Sequence, residues 1–111
     1  MKVSVIHNLF RRNPYVNDSV ILNLIALRNA HVEFEYILFN DHGDIEIKED
    51  VKEYTDLPNI KYIYSNINYG NRMCSGGWVG ALTYITGDLI HNIGQDDVFS
   101  SLFYEIFRSR T

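Results

Sequence analysis

Lys2-Val3-Ser4-Val5-Ile6-His7-Asn8 opens the chain, and its pairing with the helical pattern after it decides the fold. Val3 to Ile6 is a short β-branched run, long enough for a buried strand. Asn13-Pro14 then reads as a helix cap followed by proline at the first helical position. Val16, Val20, Ile21, Leu24, Ile25 and Leu27 come next at helical spacing, which predicts a helix over about residues 14–28.

The same change of hydrophobic period recurs along the chain. Phe34 to Phe39 predicts a second strand, stopped by the turn-forming Asn40-Asp41-His42-Gly43-Asp44. Ile47, Val51 and Tyr54 make one stripe of a weaker helix, and Pro58-Asn59 resets the chain before a third strand, Ile60 to Tyr64. Ser65 to Gly77 is polar and glycine-bearing and reads as a long loop. Trp78 to Thr86 predicts a short helix closed by Gly87 at the C′ position. Leu89 to Ile93 is a fourth strand. Phe99, Leu102, Phe103, Ile106 and Phe107 form a last amphipathic helix, introduced by Asp96-Asp97. Strand and helix alternate four times. That order predicts an α/β, Rossmann-like fold: a mainly parallel sheet with right-handed crossovers and helices on both faces.

Bulk properties bound the function. The 111 residues suit one domain spanning residues 1–111. With 46% hydrophobic and 22% charged residues, the chain can bury a core, which excludes a disordered tail. Fourteen acids against ten Lys and Arg give a net charge of -4, which argues against a general electrostatic grip on nucleic acid. Cys74 is the only cysteine, so an internal disulfide is excluded. The N-terminal apolar run is too short for a signal peptide, and no apolar run approaches the roughly 18 residues of a membrane span. A cytoplasmic location is the expectation.

In open parallel sheets, ligands bind beyond the carboxyl ends of the strands, where strand order reverses. Here those ends read His7-Asn8, Asn40-Asp41, Ser65-Asn66 and Gly94-Gln95-Asp96-Asp97, all polar. Mg²⁺ or Mn²⁺ is commonly held by one or two carboxylates plus substrate phosphates, and Asp96 and Asp97 can supply them. Asp is also a preferred N-cap, and one acid can cap while its neighbour coordinates. A carboxylate at Asp41 can accept the imino hydrogen of uracil or ribose hydroxyls, or simply close an Asx-turn. Arg72 lies in a loop that either reaches a diphosphate or stays solvated. Gly76-Gly77 lacks the Lys of a Walker loop, and no Gly-x-Gly-x-x-Gly comes after the first strand. The four histidines have no paired ligand spacing.

Taken in order, these pieces resemble the nucleotide-sugar-binding half of a family 2 glycosyltransferase with the GT-A fold. Lys2-Val3-Ser4-Val5-Ile6 resembles that family's first strand, with the aromatic after it kept as Phe10 and the proline missing. Glu35-Tyr36-Ile37-Leu38-Phe39-Asn40-Asp41 is similar to the strand that normally ends Asp-Asp-Gly-Ser, Asn40 replacing the first acid. Asn59-Ile60-Lys61-Tyr62-Ile63 and Asn68-Tyr69-Gly70 resemble the third strand and the Asn-x-Gly loop. Thr86-Gly87-Asp88-Leu89-Ile90 leads to Gly94-Gln95-Asp96-Asp97, where the family writes Asp-x-Asp-Asp.

The resemblance implies a nucleoside diphosphate sugar, a UDP-sugar foremost, as donor, and Mn²⁺ or Mg²⁺ as cofactor. It implies nucleotide contacts from Asn8, Phe10, Asn40, Asp41, Arg72, Gln95 and Asp96, with the metal on Asp96 and Asp97. The reaction would be glycosyl transfer to an acceptor hydroxyl. In the family the acceptor site and the general base come after the Asp-x-Asp strand, so acceptor and base are unassigned and the acceptor-binding half is expected to be lacking. The alternative is a non-catalytic α/β module that binds a nucleotide or another protein. An exposed sheet edge would allow a homodimer.

Overall fold

The computed structural model describes residues 2–70 and 79–109. Four parallel strands form one sheet in the order β3-β2-β1-β4: β1 (Lys2–Leu9), β2 (Glu33–Asn40), β3 (Ile60–Tyr64) and β4 (Leu89–Ile93). β1 lies inside the sheet, so Val5 faces Tyr36 on one side and His91 on the other. This explains why its residues 3–9 are buried without alternation. The chain winds outward from β1 to β3 and then returns to the far side of β1. Strand order therefore reverses between β1 and β4.

Among the described residues, the helices with both ends in view are α1 (Val16–Asn29), α2 (Ile47–Asp50), α3 (Lys52–Thr55) and α4 (Ser101–Ser109). All four contribute to the core on one face, where Val3, Val5, Leu9, Tyr36, Leu38 and Ile93 meet Val20, Leu27, Ile47, Val51, Tyr54 and Tyr104. On the other face Ile6, Ile37 and Phe39 are covered by Ala81, with Ile85 alongside. Cover on the two faces is thus uneven among the described residues. Of the segment expected to be a helix from Trp78 to Thr86, residues 79–80 are helical, and Leu82–Tyr84 then makes a 3-10 turn before Ile85 turns extended. Gly87 does not close a helix. It gives its N–H to Ser4 Oγ at 2.8 Å, and a Cβ there would stand 2.4 Å from that oxygen.

Several local expectations shift for identifiable reasons. Asn13 caps the turn before α1, taking Tyr15 N–H at 2.8 Å, so the helix starts at Val16 and not at Pro14. Ile21 and Ile25 face solvent, while Ser19 and Asn23 are buried in their place. The helix after β2 breaks at Val51 into two short turns that still share the Ile47, Val51 and Tyr54 stripe. In α4 the buried anchor is Tyr104; Leu102 and Ile106 are exposed. Tyr104 docks because its hydroxyl reaches His91 Nδ1 at 3.1 Å, inside a cage where His91 also meets Phe99 and Phe103. His91 thus fits an edge strand that its polarity would otherwise argue against. No helix among the described residues is long and apolar enough to cross a membrane.

Two polar clusters are buried in this frame. Glu35, on the thinly covered face, accepts from Ser4 Oγ and from Thr86 N–H, each at 2.6 Å. Burial alone would raise its carboxyl, but these bonds outweigh it and hold it below the usual range. Under α1, His7 Nε2 lies 2.8 Å from the Gln95 carbonyl, which can only accept. That nitrogen therefore carries the hydrogen, and Nδ1 accepts from the Tyr36 hydroxyl at 2.7 Å. Asn23 Nδ2 donates to the same hydroxyl at 3.2 Å. Burial lowers the His7 ring to about 4, keeping it neutral.

This packing can be tested at two points. A Cβ on Gly43 would lie 1.8 Å from the Phe10 carbonyl oxygen, where the loops after β1 and β2 touch. Gly43→Ala should cost about 1–3 kcal/mol in urea unfolding, and an unchanged midpoint would show that the loops part freely. His7 is neutral when folded but titrates near the ordinary 6.5 when unfolded, so the unfolded chain binds more protons between those values. Its contribution is complete above about pH 6.5 and is lost as pH falls toward 4, at about 1 kcal/mol per unit. His7→Gln should therefore have a shallower stability profile over that window. A parallel profile would mean the ring is already charged in the folded state.

Candidate functional site

The four strand ends meet on one side of the sheet, and the reversal of order places a crevice between the ends of β1 and β4. Gln95 laces that crevice. Its Oε1 accepts the N–H groups of Phe10 at 2.8 Å and Arg11 at 3.2 Å, and its Nε2 donates to the Arg11 carbonyl. Asn8 points to the same junction, its Nδ2 donating to Asn92 Oδ1 at 2.7 Å and the Ile93 carbonyl at 2.8 Å. Asn8 and Gln95, expected as nucleotide contacts, thus fasten β1 to β4. Each replaces backbone pairing that stops where the strands diverge.

Asn40 does the same at the end of β2. It is wholly buried, accepts Gly43 N–H at 2.8 Å and donates to the Asp44 carbonyl at 2.9 Å and the Tyr62 hydroxyl at 3.0 Å. Its neighbour is different. Asp41 is 1% exposed; Oδ1 accepts Tyr69 N–H at 2.8 Å, and Oδ2 has no partner among the described residues. A buried carboxylate oxygen without a donor is costly. Tyr69 also lines a cavity of about 270 Å³ with Phe39, Ile63, Tyr64 and Gly80.

At the end of β4, Asp96 and Asp97 are exposed. Neither heads α4, which begins at Ser101, so the expected capping of that helix does not occur. Asp97 instead closes its own turn, Oδ2 accepting Gly94 N–H at 2.7 Å. Asp96 Oδ1 accepts from Asn13 Nδ2 at 3.0 Å, which joins it to the loop after β1. No group of three or more His, Cys, Asp or Glu among the described residues could by itself hold a metal ion. Arg72, like Cys74 and Trp78, lies outside the described residues.

Two cations in the loop after β1 complete the neighbourhood. Arg11 stacks over the Phe10 ring at 5.4 Å. Arg12 forms a two-point pair with Asp50, at 2.8 and 2.9 Å, which holds the guanidinium above its ordinary range. Neither was expected at the site from the sequence, although Arg11-Arg12 directly after the end of β1 is a visible signal.

No protein-family model and no curated protein matches the chain. Solved structures do. Crystal structures of TarS from S. aureus, a glycosyltransferase, match at 20% identity over 98% of this chain. One holds UDP-GlcNAc (TM-score 0.72, covering 30% of that chain), another holds UDP (TM-score 0.72, 31%), and a longer form gives 0.74 over 19%. This chain therefore spans less than a third of those TarS chains. At this identity the likeness is one of fold, and it agrees with the resemblance read from the strand ends: the chain folds as part of a glycosyltransferase does.

Proposed function

We propose that the chain binds a nucleoside diphosphate sugar over the ends of β1, β2 and β4, as the donor-binding part of a glycosyltransferase. The observation that carries this reading is Asp41: a buried carboxylate with one oxygen anchored on Tyr69 N–H and the other without a donor among the described residues. A nucleoside offers the missing donor, an imino hydrogen or a ribose hydroxyl. The UDP and UDP-GlcNAc held by the TarS structures of like fold support the same ligand class.

Asp96 fits a hard divalent cation. It is exposed, supplies oxygen ligands, and stands at the reversal of strand order with one oxygen steadied by Asn13. Two carboxylates are too few for a closed site, which suits Mg²⁺ or Mn²⁺ completed by substrate phosphate and water. When bound, the cation would neutralise charge on the departing diphosphate. The chain's own residues have simpler tasks. Phe10 and Asp41 receive the nucleoside, Arg11 adds positive charge beside Phe10, and Asp96, with Asp97 closing its turn, presents the oxygen ligands. Asn8, Asn40 and Gln95 hold the loops that carry these groups.

Calorimetry with UDP, with and without Mn²⁺, tests both ends of the site. Asp96→Asn should abolish the Mn²⁺-dependent gain in affinity and leave metal-free binding intact; a retained gain would remove Asp96 from the metal. Asp41→Asn keeps the oxygen that Tyr69 N–H needs but turns the other into a donor. It should weaken UDP with or without metal, by roughly 1.5–3 kcal/mol for a lost charge-assisted bond. Binding equal to the unaltered chain would reduce Asp41 to a turn residue.

A further inference from the structure

The turn that carries Asp96 is held from beneath by side chains of α1 and β1. Asn23, wholly buried, uses its amide as if it were a strip of backbone. Nδ2 donates to the Asp97 carbonyl and Oδ1 accepts Phe99 N–H, both at 2.9 Å. Ser19, also buried, donates from Oγ to the same Asp97 carbonyl at 2.7 Å. His7 Nε2 donates to the Gln95 carbonyl. The backbone is thus pinned at residues 95, 97 and 99, while the intervening Asp96 and Val98 side chains are exposed.

This arrangement sacrifices apolar burial. It places two polar side chains on the core face of α1 while Ile21 and Ile25 are left in solvent. A helix selected only for packing would have the reverse. Asn23 also reaches the Tyr36 hydroxyl and Ser19 Oγ lies 3.4 Å from His7 Nε2, but three of the pair's bonds go to the backbone of the turn and its exit, and their consequence is to fix one conformation of residues 94–99.

We infer that Ser19 and Asn23 are positioning residues that hold the Asp96 turn in its cation-accepting form before a ligand arrives. The inference rests on Asp96 as the cation ligand. Groups that orient a ligand without touching the metal are commonly worth about tenfold or more in metal affinity. Here they would act through the Asp97 carbonyl and the Phe99 amide. A ligand already in place loses less freedom when the cation binds.

The test uses the full chain, Mn²⁺ and UDP, with Ser19→Ala, Asn23→Ser and a control, Val51→Ala, buried at the junction of α2 and α3. Amide hydrogen exchange reads the clamp without metal: Phe99 N–H should exchange faster in Asn23→Ser and not in Val51→Ala. Calorimetry reads its use. The Mn²⁺-dependent gain in UDP affinity should fall about tenfold in Ser19→Ala and Asn23→Ser, with metal-free UDP binding unchanged and the control's gain intact. A full gain in both variants, or the same loss in the control, overturns the inference while leaving Asp96 as ligand. If Asn23→Ser does not fold, Ser19→Ala, which removes one of two donors to one carbonyl, decides the matter by the same criterion. Absence of any gain in the unaltered chain instead overturns the metal reading and this inference with it.

Discussion

β1 is hydrogen-bonded along both edges, and the site depends on how that pairing ends. While β2, β1 and β4 run together, backbone groups satisfy one another. At Leu9 the carbonyl still finds Asp41 N–H at 3.0 Å, and at Phe10 the carbonyl finds Asp44 N–H at 2.8 Å, but on the β4 side the ladder stops after Ile93. Side-chain amides continue the work. Asn8 reaches the Ile93 carbonyl, Gln95 the backbone of Phe10 and Arg11, and Asn40 the loop from Gly43 to Asp44. An amide both donates and accepts, so it can replace a peptide group where no strand remains.

That division sorts the polar residues at the strand ends into two kinds. The amides are consumed by the fold, whereas Asp41 keeps an oxygen without a partner among the described residues and Asp96 stays exposed. Asn40 and Asp41 are neighbours, yet one satisfies its loop completely and the other keeps an oxygen without a partner among the described residues. Gln95 and Asp96 divide in the same way, one sewn into the crevice and one exposed at its rim. Where the resembling family has an acid, this chain has Asn40 and Gly94. At Asn40 the amide donates to the Asp44 carbonyl, a bond that an ionised acid could not make.

The buried His7 and the half-buried His91 obey a related rule. His7 and His91 are both lowered to about 4, chiefly by burial, and both are therefore neutral hydrogen-bonding rings. His7 joins the sheet to the turn of β4 through the Gln95 carbonyl; His91 joins β4 to α4 through Tyr104. Each makes a polar link where a purely apolar residue would leave a carbonyl or a hydroxyl without a partner. Their cost appears at acid pH, where a proton must be forced into the core.

The alternation of hydrophobic period determined the element order, because strand and helix bury their apolar residues at different spacings. β3 and β4 have the expected bounds, and the polar strand ends fall together because parallel connections return every strand in one direction. Acids at 41 and 96 were legible as candidates on that ground alone. Sequence spacing did not decide which side chains turn inward. Ser19, Asn23 and Tyr104 are buried while Ile21, Ile25 and Leu102 are not, because hydrogen bonds to distant segments outweighed local apolar pattern. Nor could it separate Asn8, Asn40 and Gln95 from the acids beside them. A polar residue at a strand end is a binding group or a fastening according to what stands within hydrogen-bonding distance. Those partners lie as many as 85 residues away in sequence and meet only when the sheet has closed around β1.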